Sequence, residues 1–211
     1  KKNFLYKNLG GNNMELVTGI SPVTDLFSSR NVSWSDIDSD GDLDLYVTNE
    51  NGEKENLYRN NGGGSFEKMT DLIITTDGFN TMSSSWGDID NDGDLDLFLA
   101  NDGSKNQLFR NEGNFVFTRV LTTDVSKVNA KSFSSAWADI DNDGDLDLFV
   151  TNAFQNGQRL KNNLYLNDGT GHLTEVTNEV VVMDEGWSYG CAFGDYDNDG
   201  FQDLAVATTR F

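Results

Sequence analysis

Hydrophobic residues in this chain fall in short runs separated by clusters of glycine, asparagine and aspartate. Residues 45–48 and 97–100 are examples, and both runs are rich in β-branched and aromatic side chains. Such runs, bounded by turn-forming residues, are typical of strands joined by tight turns. No segment shows the apolar spacing of an amphipathic helix over a useful length. The pattern therefore predicts an all-β fold.

The predicted strands recur in phase with an acidic motif, D-x-D-x-D-G-x-x-D, whose first aspartates are 52, 51 and 56 residues apart. The four copies, called loops 1 to 4, are residues 36–44, 88–96, 139–147 and 195–203. An aromatic residue stands two positions before each copy: Trp34, Trp86, Trp137 and Phe193. A repeat of this length is typical of the four-stranded blades of a β-propeller. We therefore predict a single β-propeller domain over residues 1–211.

The beginning and the end of the chain each match half of one further blade. Residues 3–8 and 14–18 match the last two strands of a unit, and residues 189–195 and 204–208 match the first two. Three complete units lie between them. Two interpretations remain open: the halves join and close a four-bladed ring, or the chain belongs to a larger ring. Joining would remove the open sheet edges that otherwise invite association.

Each acidic motif places carboxylates at alternate positions of a tight loop, where they can point to a common centre. Carboxylates at this density repel one another unless a cation lies among them, so we predict one calcium ion in each loop. The predicted ligands are the side chains at positions 1, 3, 5 and 9 and the backbone carbonyl at position 7, with a glycine that allows the sharp turn. In chain order, these residues are Asp36, Asp38, Asp40, Asp42 and Asp44; Asp88, Asp90, Asp92, Asp94 and Asp96; Asp139, Asp141, Asp143, Asp145 and Asp147; and Asp195, Asp197, Asp199, Phe201 and Asp203.

An EF-hand has a similar opening, but it requires a glutamate at position 12 of its loop. That position holds an aliphatic residue in all four copies: Val47, Leu99, Val150 and Val206. The EF-hand interpretation is therefore excluded, and the predicted sites close at position 9.

Loops such as Asp-Ile-Asp-Asn-Asp-Gly-Asp-Leu-Asp-Leu, with the Asn-x-Leu-Tyr strands that follow them, resemble the FG-GAP and VCBS repeats of secreted bacterial and extracellular eukaryotic proteins. The loops are also similar to those of the integrin alpha-subunit propeller. The resemblance covers essentially the whole chain and implies a β-propeller with calcium loops on one face. It further implies a role in adhesion, ligand binding or carbohydrate binding. Loop 4 departs from the pattern at Phe201 and Gln202 but keeps its side-chain ligands.

The net charge narrows the classes of partner. The formal charge is -20, from 35 acidic and 15 basic residues, and the four loops hold 19 of the acids. Nucleic acid is excluded as a partner because its affinity for proteins comes largely from lysine and arginine. No run of apolar residues is long enough to span a membrane. Weak calcium sites fill only where calcium is roughly millimolar, which predicts a secreted or cell-surface location.

Antiparallel strands place the calcium loops and the glycine turns on one face, and the remaining connections on the opposite face. Those connections carry the aromatic and basic residues that we predict to bind a partner, because loops held by a rigid scaffold are the usual place for recognition. The alternative is that the aromatic side chains pack between blades. The predicted ligand-binding residues are Phe27, Phe79, Phe133, Phe154, Arg159 and Trp187.

These features favour a non-enzymatic platform that binds an extracellular protein or a glycan. One alternative is the propeller portion of a secreted polysaccharide-processing enzyme, since two carboxylates suffice for glycoside hydrolysis. No pair of acids outside the loops recurs in a pattern that nominates it. A second alternative is a structural repeat in a surface assembly, with self-association through the split blade.

Overall fold

The computed structural model describes residues 1–127, 129–155 and 158–209, which form eighteen strands, one short helix and three 3-10 turns. The helix is α1 (Ser21–Thr24), and the 3-10 turns are Ile73–Thr75, Asp124–Lys127 and Val180–Val182. The strands are β1 (Tyr6–Gly10), β2 (Asn13–Leu16), β3 (Ser29–Ser35), β4 (Asp44–Asn49), β5 (Asn56–Asn60), β6 (Phe66–Met69), β7 (Thr81–Gly87), β8 (Asp96–Lys105), β9 (Gln107–Asn111), β10 (Phe117–Arg119), β11 (Asn129–Ala138), β12 (Asp147–Asn152), β13 (Phe154–Gln155), β14 (Gln158–Lys161), β15 (Asn163–Asn167), β16 (Leu173–Val176), β17 (Glu185–Gly194) and β18 (Asp203–Thr209).

All strand pairs in the described residues are antiparallel, and the predicted all-β fold is confirmed. Three four-stranded units follow one another. Unit 1 is β3–β6, unit 2 is β7–β10, and unit 3 is β11, β12, β15 and β16. The last hairpin, β17–β18, repeats only the first two strands of a unit. Within each unit, the predicted strands lie where the repeat places them.

Units 2 and 3 are not separate sheets, which the repeat did not predict. Strand β8 continues to Lys105, and its outer part pairs with the start of β11, as in the register Asn129↔Lys105. Gly103, with a φ of 77°, lies at the bulge in this pairing. The two units therefore form one eight-stranded sheet. Strand β14, in the connection between β12 and β15, pairs with β17 of the last hairpin and forms a separate four-stranded sheet with β13, β17 and β18.

The hydrophobic core lies between consecutive units. Tyr46 and Leu57 of unit 1 cluster with Leu97 and Phe109 of unit 2, and equivalent clusters lie between units 2 and 3 and between unit 3 and the last hairpin. The aromatic residues before the loops take part in this packing. Edge-to-face pairs join neighbouring units at ring-centroid distances of 5.7, 6.4 and 6.5 Å: Tyr46–Trp86, Phe98–Trp137 and Phe149–Phe193. Trp34 lies in the first strand of unit 1, with no four-stranded unit before it in the described residues; its ring contacts Phe66 of the same unit, and it is 43% exposed.

Buried asparagines at the end of the third strand also connect the units. The Nδ2 group of Asn111 donates to the carbonyl of Ile37 in unit 1 at 3.0 Å, and Asn167 donates to the carbonyl of Ile89 in unit 2 at 2.8 Å. Each also donates to a carbonyl within its own unit. The units are thus held together by specific hydrogen bonds as well as by apolar packing.

Strands β1 and β2 form a sheet of their own, joined to the next segment by the bridge Lys2↔Leu26. No strand pairing within the described ranges connects this first hairpin to β17 or β18. Closure of a ring through a split blade therefore stays a prediction. No helix in the described part of the chain is long and apolar enough to cross a membrane.

Candidate metal centres and the opposite face

The first aspartate of each acidic loop organises the loop backbone. In loop 1, Asp36 accepts hydrogen bonds from the amides of Asp40 and Gly41, both at 3.0 Å. The same pair of bonds recurs in the other three loops. Gly41 has a φ of 92°, which L side chains rarely adopt. This carboxylate and glycine together fold the motif back on itself and bring the acidic side chains together.

The ninth position connects each loop to its sheet. Asp44 is fully buried, and its two oxygens accept from the amides of Ile37 and Asn60. Asp96 and Asp147 make the same two bonds in loops 2 and 3. Burial raises the pKa of Asp44 to about 6 and that of Asp96 to about 7, because the charged form loses its hydration. A cation in the loop would favour the charged form of both groups.

In each loop, three carboxylates have ligand atoms within 4.8 Å of one another and could hold a metal ion. The triads use positions 1, 3 and 5 in loops 1 and 4, and positions 1, 3 and 9 in loops 2 and 3. They are Asp36, Asp38 and Asp40; Asp88, Asp90 and Asp96; Asp139, Asp141 and Asp147; and Asp195, Asp197 and Asp199. All of these residues were predicted ligands. Asp44, Asp92, Asp143 and Asp203 lie in the same loops but outside the triads, and their ligand role stays a prediction.

The seventh-position side chains turn away from the triads in the first three loops. An added Cβ at Gly62 or Gly113 would lie 3.1 or 3.0 Å from a carboxylate oxygen of Asp42 or Asp94. Asp145 approaches Gly169 in the same way and also accepts from Asn91 of loop 2 at 2.7 Å. The acidic loops and the glycine turns therefore share one face, as predicted. Phe201, at the equivalent place in loop 4, is 55% exposed.

The chemistry of the loops fits a hard divalent cation. Every side chain in the triads offers oxygen, the ligand that calcium prefers. One oxygen each of Asp38 and Asp90 is buried without a hydrogen-bond partner. A buried carboxylate oxygen with no partner is costly, and a bound cation would remove that cost. These residues would hold the ion by direct coordination.

Two arginines that we did not predict lie against loops 1 and 2. Arg59 contacts Asp38 at 2.6 Å and Asp40 at 3.3 Å, and Arg110 contacts Asp90 at 2.9 Å. Both stand in the third strand of their unit, where unit 3 has Leu166. The sequence signal was the change from Tyr-Arg or Phe-Arg to Tyr-Leu at this position. The guanidinium groups offset part of the carboxylate charge in loops 1 and 2.

The structure separates the six residues predicted on the opposite face into three groups. Phe154 stacks on Trp187 at 4.8 Å, and Arg159 pairs with Phe154 across β13 and β14. Phe133 packs edge-to-face on Tyr189 at 4.7 Å. Phe27 and Phe79 each lie in a separate cavity, described below. The aromatic residues of the first two groups therefore contact one another, as in the alternative that they pack between units.

The prediction that all these aromatics lie in connections was wrong. Phe133 and Trp187 lie within strands β11 and β17, and Phe154 lies in the short strand β13. Phe133 lies at a bulge in the pairing of β11 with β12, between Ser132 and Ser134, and Trp187 pairs with Thr209 of β18. Phe27 and Phe79 do lie in connections.

A cavity of about 600 Å³ borders Arg159 and the last hairpin. Its walls include Leu204 and Val206 of β18 together with Asp184 and Glu185. It lies beside the last hairpin, which has two strands where each of the three units has four. We therefore do not assign it a ligand.

The model of the FG-GAP-like repeat matches residues 36–99, 88–150 and 152–206. The chain therefore belongs to the FG-GAP-like repeat family, and the resemblance inferred from the loops is confirmed. Among curated proteins, it is 29% identical over 183 residues to cartilage acidic protein 1 of Xenopus tropicalis. That match covers 76% of this chain and 28% of the relative, so the chain spans less than a third of its length.

Among solved structures, the chain is similar to a lectin of Agrocybe aegerita, described for its specific recognition of non-reducing terminal N-acetylglucosamine. The TM-score is 0.63 at 18% identity, and the match covers 96% of this chain and 54% of the lectin. At this identity the likeness establishes a shared fold.

Proposed function

We propose that residues 1–211 form a calcium-stabilised extracellular β-propeller domain that binds a glycan or protein partner and catalyses no reaction. The observation that carries this proposal is the carboxylate triad found in each of the four loops of an FG-GAP-like repeat chain. The three units are the blades in this proposal, and the two terminal hairpins are halves of blades.

Calcium is the cation that suits these loops best. Each loop offers oxygen ligands at several positions of a flexible turn, whereas magnesium demands a near-ideal octahedron and keeps most of its waters. Four calcium ions would reduce the formal charge of -20 to about -12 by simple addition. Without them, repulsion among the loop carboxylates would loosen the fold. Weak calcium sites fill only where calcium is roughly millimolar, so a fold that depends on four such ions supports an extracellular location.

A binding role is supported by the engagement of acids outside the loops. Glu53 accepts from the amide of Ser28 at 2.6 Å, Asp102 pairs with Lys131 at 3.2 Å, and Asp77 pairs with Arg119. Each of these three carboxylates is engaged by a structural partner, whereas glycoside hydrolysis uses two carboxyl groups that flank the scissile bond. The lectin of similar fold adds support for a glycan among the proposed partners.

The test is a glycan array and a panel of extracellular proteins, probed with the chain in calcium and again after chelation. Calcium-dependent binding without turnover of the bound glycan is the expected result. Hydrolysis that is lost on substitution of one acid outside the loops would favour the enzyme alternative. Sedimentation of the same sample addresses the third alternative, since a dimer or polymer would indicate that Trp34 and the terminal hairpins meet another copy.

A further inference from the structure

The face opposite the acidic loops contains a cavity of about 480 Å³ beside unit 2. Its volume lies within the roughly 300–1,000 Å³ range of small-molecule sites. The wall has an apolar part, which includes Phe79 and Val120, and a polar part made by Lys105, Gln107 and Arg119. An apolar wall with a few converging polar groups is the usual composition of a ligand site.

The polar part of this cavity has unused hydrogen-bonding capacity. Gln107 is 6% exposed, and its Nε2 group donates to Asp77 at 3.2 Å, while its Oε1 atom is buried without a partner. Arg119 forms an ion pair with Asp77, and its Nε group is also buried without a partner. Buried polar groups are normally satisfied. One free acceptor and one free donor in the same wall indicate a ligand that both donates and accepts.

The mouth of the cavity supplies an aromatic ring and a positive charge. Phe79 is half-buried, and within the described ranges its ring contacts no other aromatic ring or cation. Lys105 is exposed and pairs with no carboxylate in the described residues. The wall of the cavity therefore has a net charge of +1, from Lys105, Arg119 and Asp77, in an otherwise acidic protein.

Unit 1 has the same cavity positions, and its Asn56 Nδ2 group is also buried without a partner, but its aromatic ring is already covered by a cation. The residues are Phe27, Lys54, Asn56 and Lys68, around about 290 Å³. The Lys68 ammonium lies 4.5 Å from the centre of the Phe27 ring and 2.7 Å from Asp25, so it covers the aromatic face. Lys68 and Arg119 occupy equivalent positions in their units. Lys68 pairs with Tyr58 and Arg119 pairs with Phe109, the aromatic residue of the third strand in each unit.

Unit 3 lacks both the cation and the aromatic ring of these cavities. Glu175 stands where units 1 and 2 have a cation, and Ala130 stands where they have phenylalanine. The amide of Asn163, at the Gln107 position, donates to Glu175 at 2.6 Å. The combination of an open ring, a free lysine and unsatisfied polar atoms is therefore found in unit 2.

We propose that the unit 2 cavity binds one pyranose ring that carries a carboxylate, such as a terminal uronic acid. The apolar face of the sugar would pack on Phe79, its hydroxyls would donate to Gln107 and accept from Arg119, and its carboxylate would contact Lys105. A sugar fits better than an acidic peptide because each hydroxyl both donates and accepts. This inference rests on the proposed binding function and assigns its ligand class and its position.

The experiment is an NMR titration of the full chain in calcium with methyl β-D-glucuronide, methyl β-D-glucoside and a short glutamate-rich peptide. We expect shifts around Phe79 and Gln107, with affinity for the glucuronide about fivefold above that for the glucoside. Phe79→Ala should abolish binding, and Lys105→Ala should remove the preference for the acid. Lys161→Ala changes the equivalent lysine of unit 3 and serves as the matched control.

Equal affinity for the two sugars, stronger binding of the peptide, or no shifts near Phe79 would overturn the proposal. If array binding survives Phe79→Ala and Lys105→Ala, the position is wrong while the proposed binding function stands. If the folded, calcium-loaded chain binds no glycan or protein at all, the proposed function itself fails. Unchanged spectra away from the cavity verify that both variants remain folded.

Discussion

Replacing Asn111 by alanine tests how much the hydrogen bonds between units contribute to stability. The Nδ2 group of Asn111 is bonded to the carbonyls of Ile37 and Leu95 at 3.0 and 3.2 Å. Asn60, at the same place in unit 1, bonds only to a carbonyl of its own unit, at 3.1 Å. Both asparagines also accept from the glycine amide two residues later. The two alanine variants therefore differ in the loss of the bond to Ile37 and in burial, because Asn111 is fully buried and Asn60 is half-buried.

Ile37 is 1% exposed, so its carbonyl would be left buried without this donor. An orphaned buried acceptor costs about 1–3 kcal/mol, and N111A should exceed N60A by that amount. Each kcal/mol corresponds to roughly 2–4 °C in the melting temperature for a domain of this size. Urea unfolding in saturating calcium measures the difference directly.

Asn167 repeats the donor bonds of Asn111 between units 2 and 3, with a bond of 2.8 Å to the carbonyl of Ile89, while its Oδ1 atom is buried without a partner. N167A should therefore resemble N111A and not N60A. Equal destabilisation by all three substitutions would refute the reasoning, because it would leave no contribution from the bonds between units.

Three further predictions use other parts of the fold. Burial raises the pKa of Glu55 to about 8 in the folded protein, whereas the ordinary value is 4.5. The free energy of unfolding is therefore highest, with respect to this group, below about pH 4.5, and it falls as the pH rises toward 8. Glu55→Gln should therefore stabilise the protein more at pH 8 than at pH 5, by up to about 4 kcal/mol in urea unfolding, and an equal effect at both would contradict this. Arg110→Leu, which copies Leu166 of unit 3, should raise the calcium affinity of loop 2 several-fold in calorimetry, whereas a loss of affinity would show that the guanidinium helps to build the site. Trp137→Ala should cost about 2–4 kcal/mol in thermal unfolding and the exposed Trp34→Ala about 1 or less, so similar losses would argue against packing between units.

The acidic loops and the strands around them could be predicted because their signals repeat. The bonds of the first aspartate and the turn glycine recur in all four copies, and the ninth aspartate is buried and accepts the same two bonds in loops 1 to 3. Trp86 and Trp137 likewise recur at the spacing of the units, and they pack where that spacing indicates. A feature that repeats four times can be distinguished from a single coincidence.

What could not be predicted depends on contacts that occur in only some of the described units. The pairing of β8 with β11 joins units 2 and 3 into one sheet, and it involves residues of the long connections that the strand pattern did not include. Arg59 and Arg110 contact loop carboxylates that lie about twenty positions earlier in the chain.

Calcium binding is the central claim, and calorimetric titration of the chelated chain tests it most directly, with thermal unfolding and sedimentation on the same samples. The account predicts up to four sites, a large loss of stability on chelation, and recovery with calcium but little recovery with magnesium. It also predicts a compact monomer. No heat of binding and an unchanged melting temperature after chelation would contradict the claim.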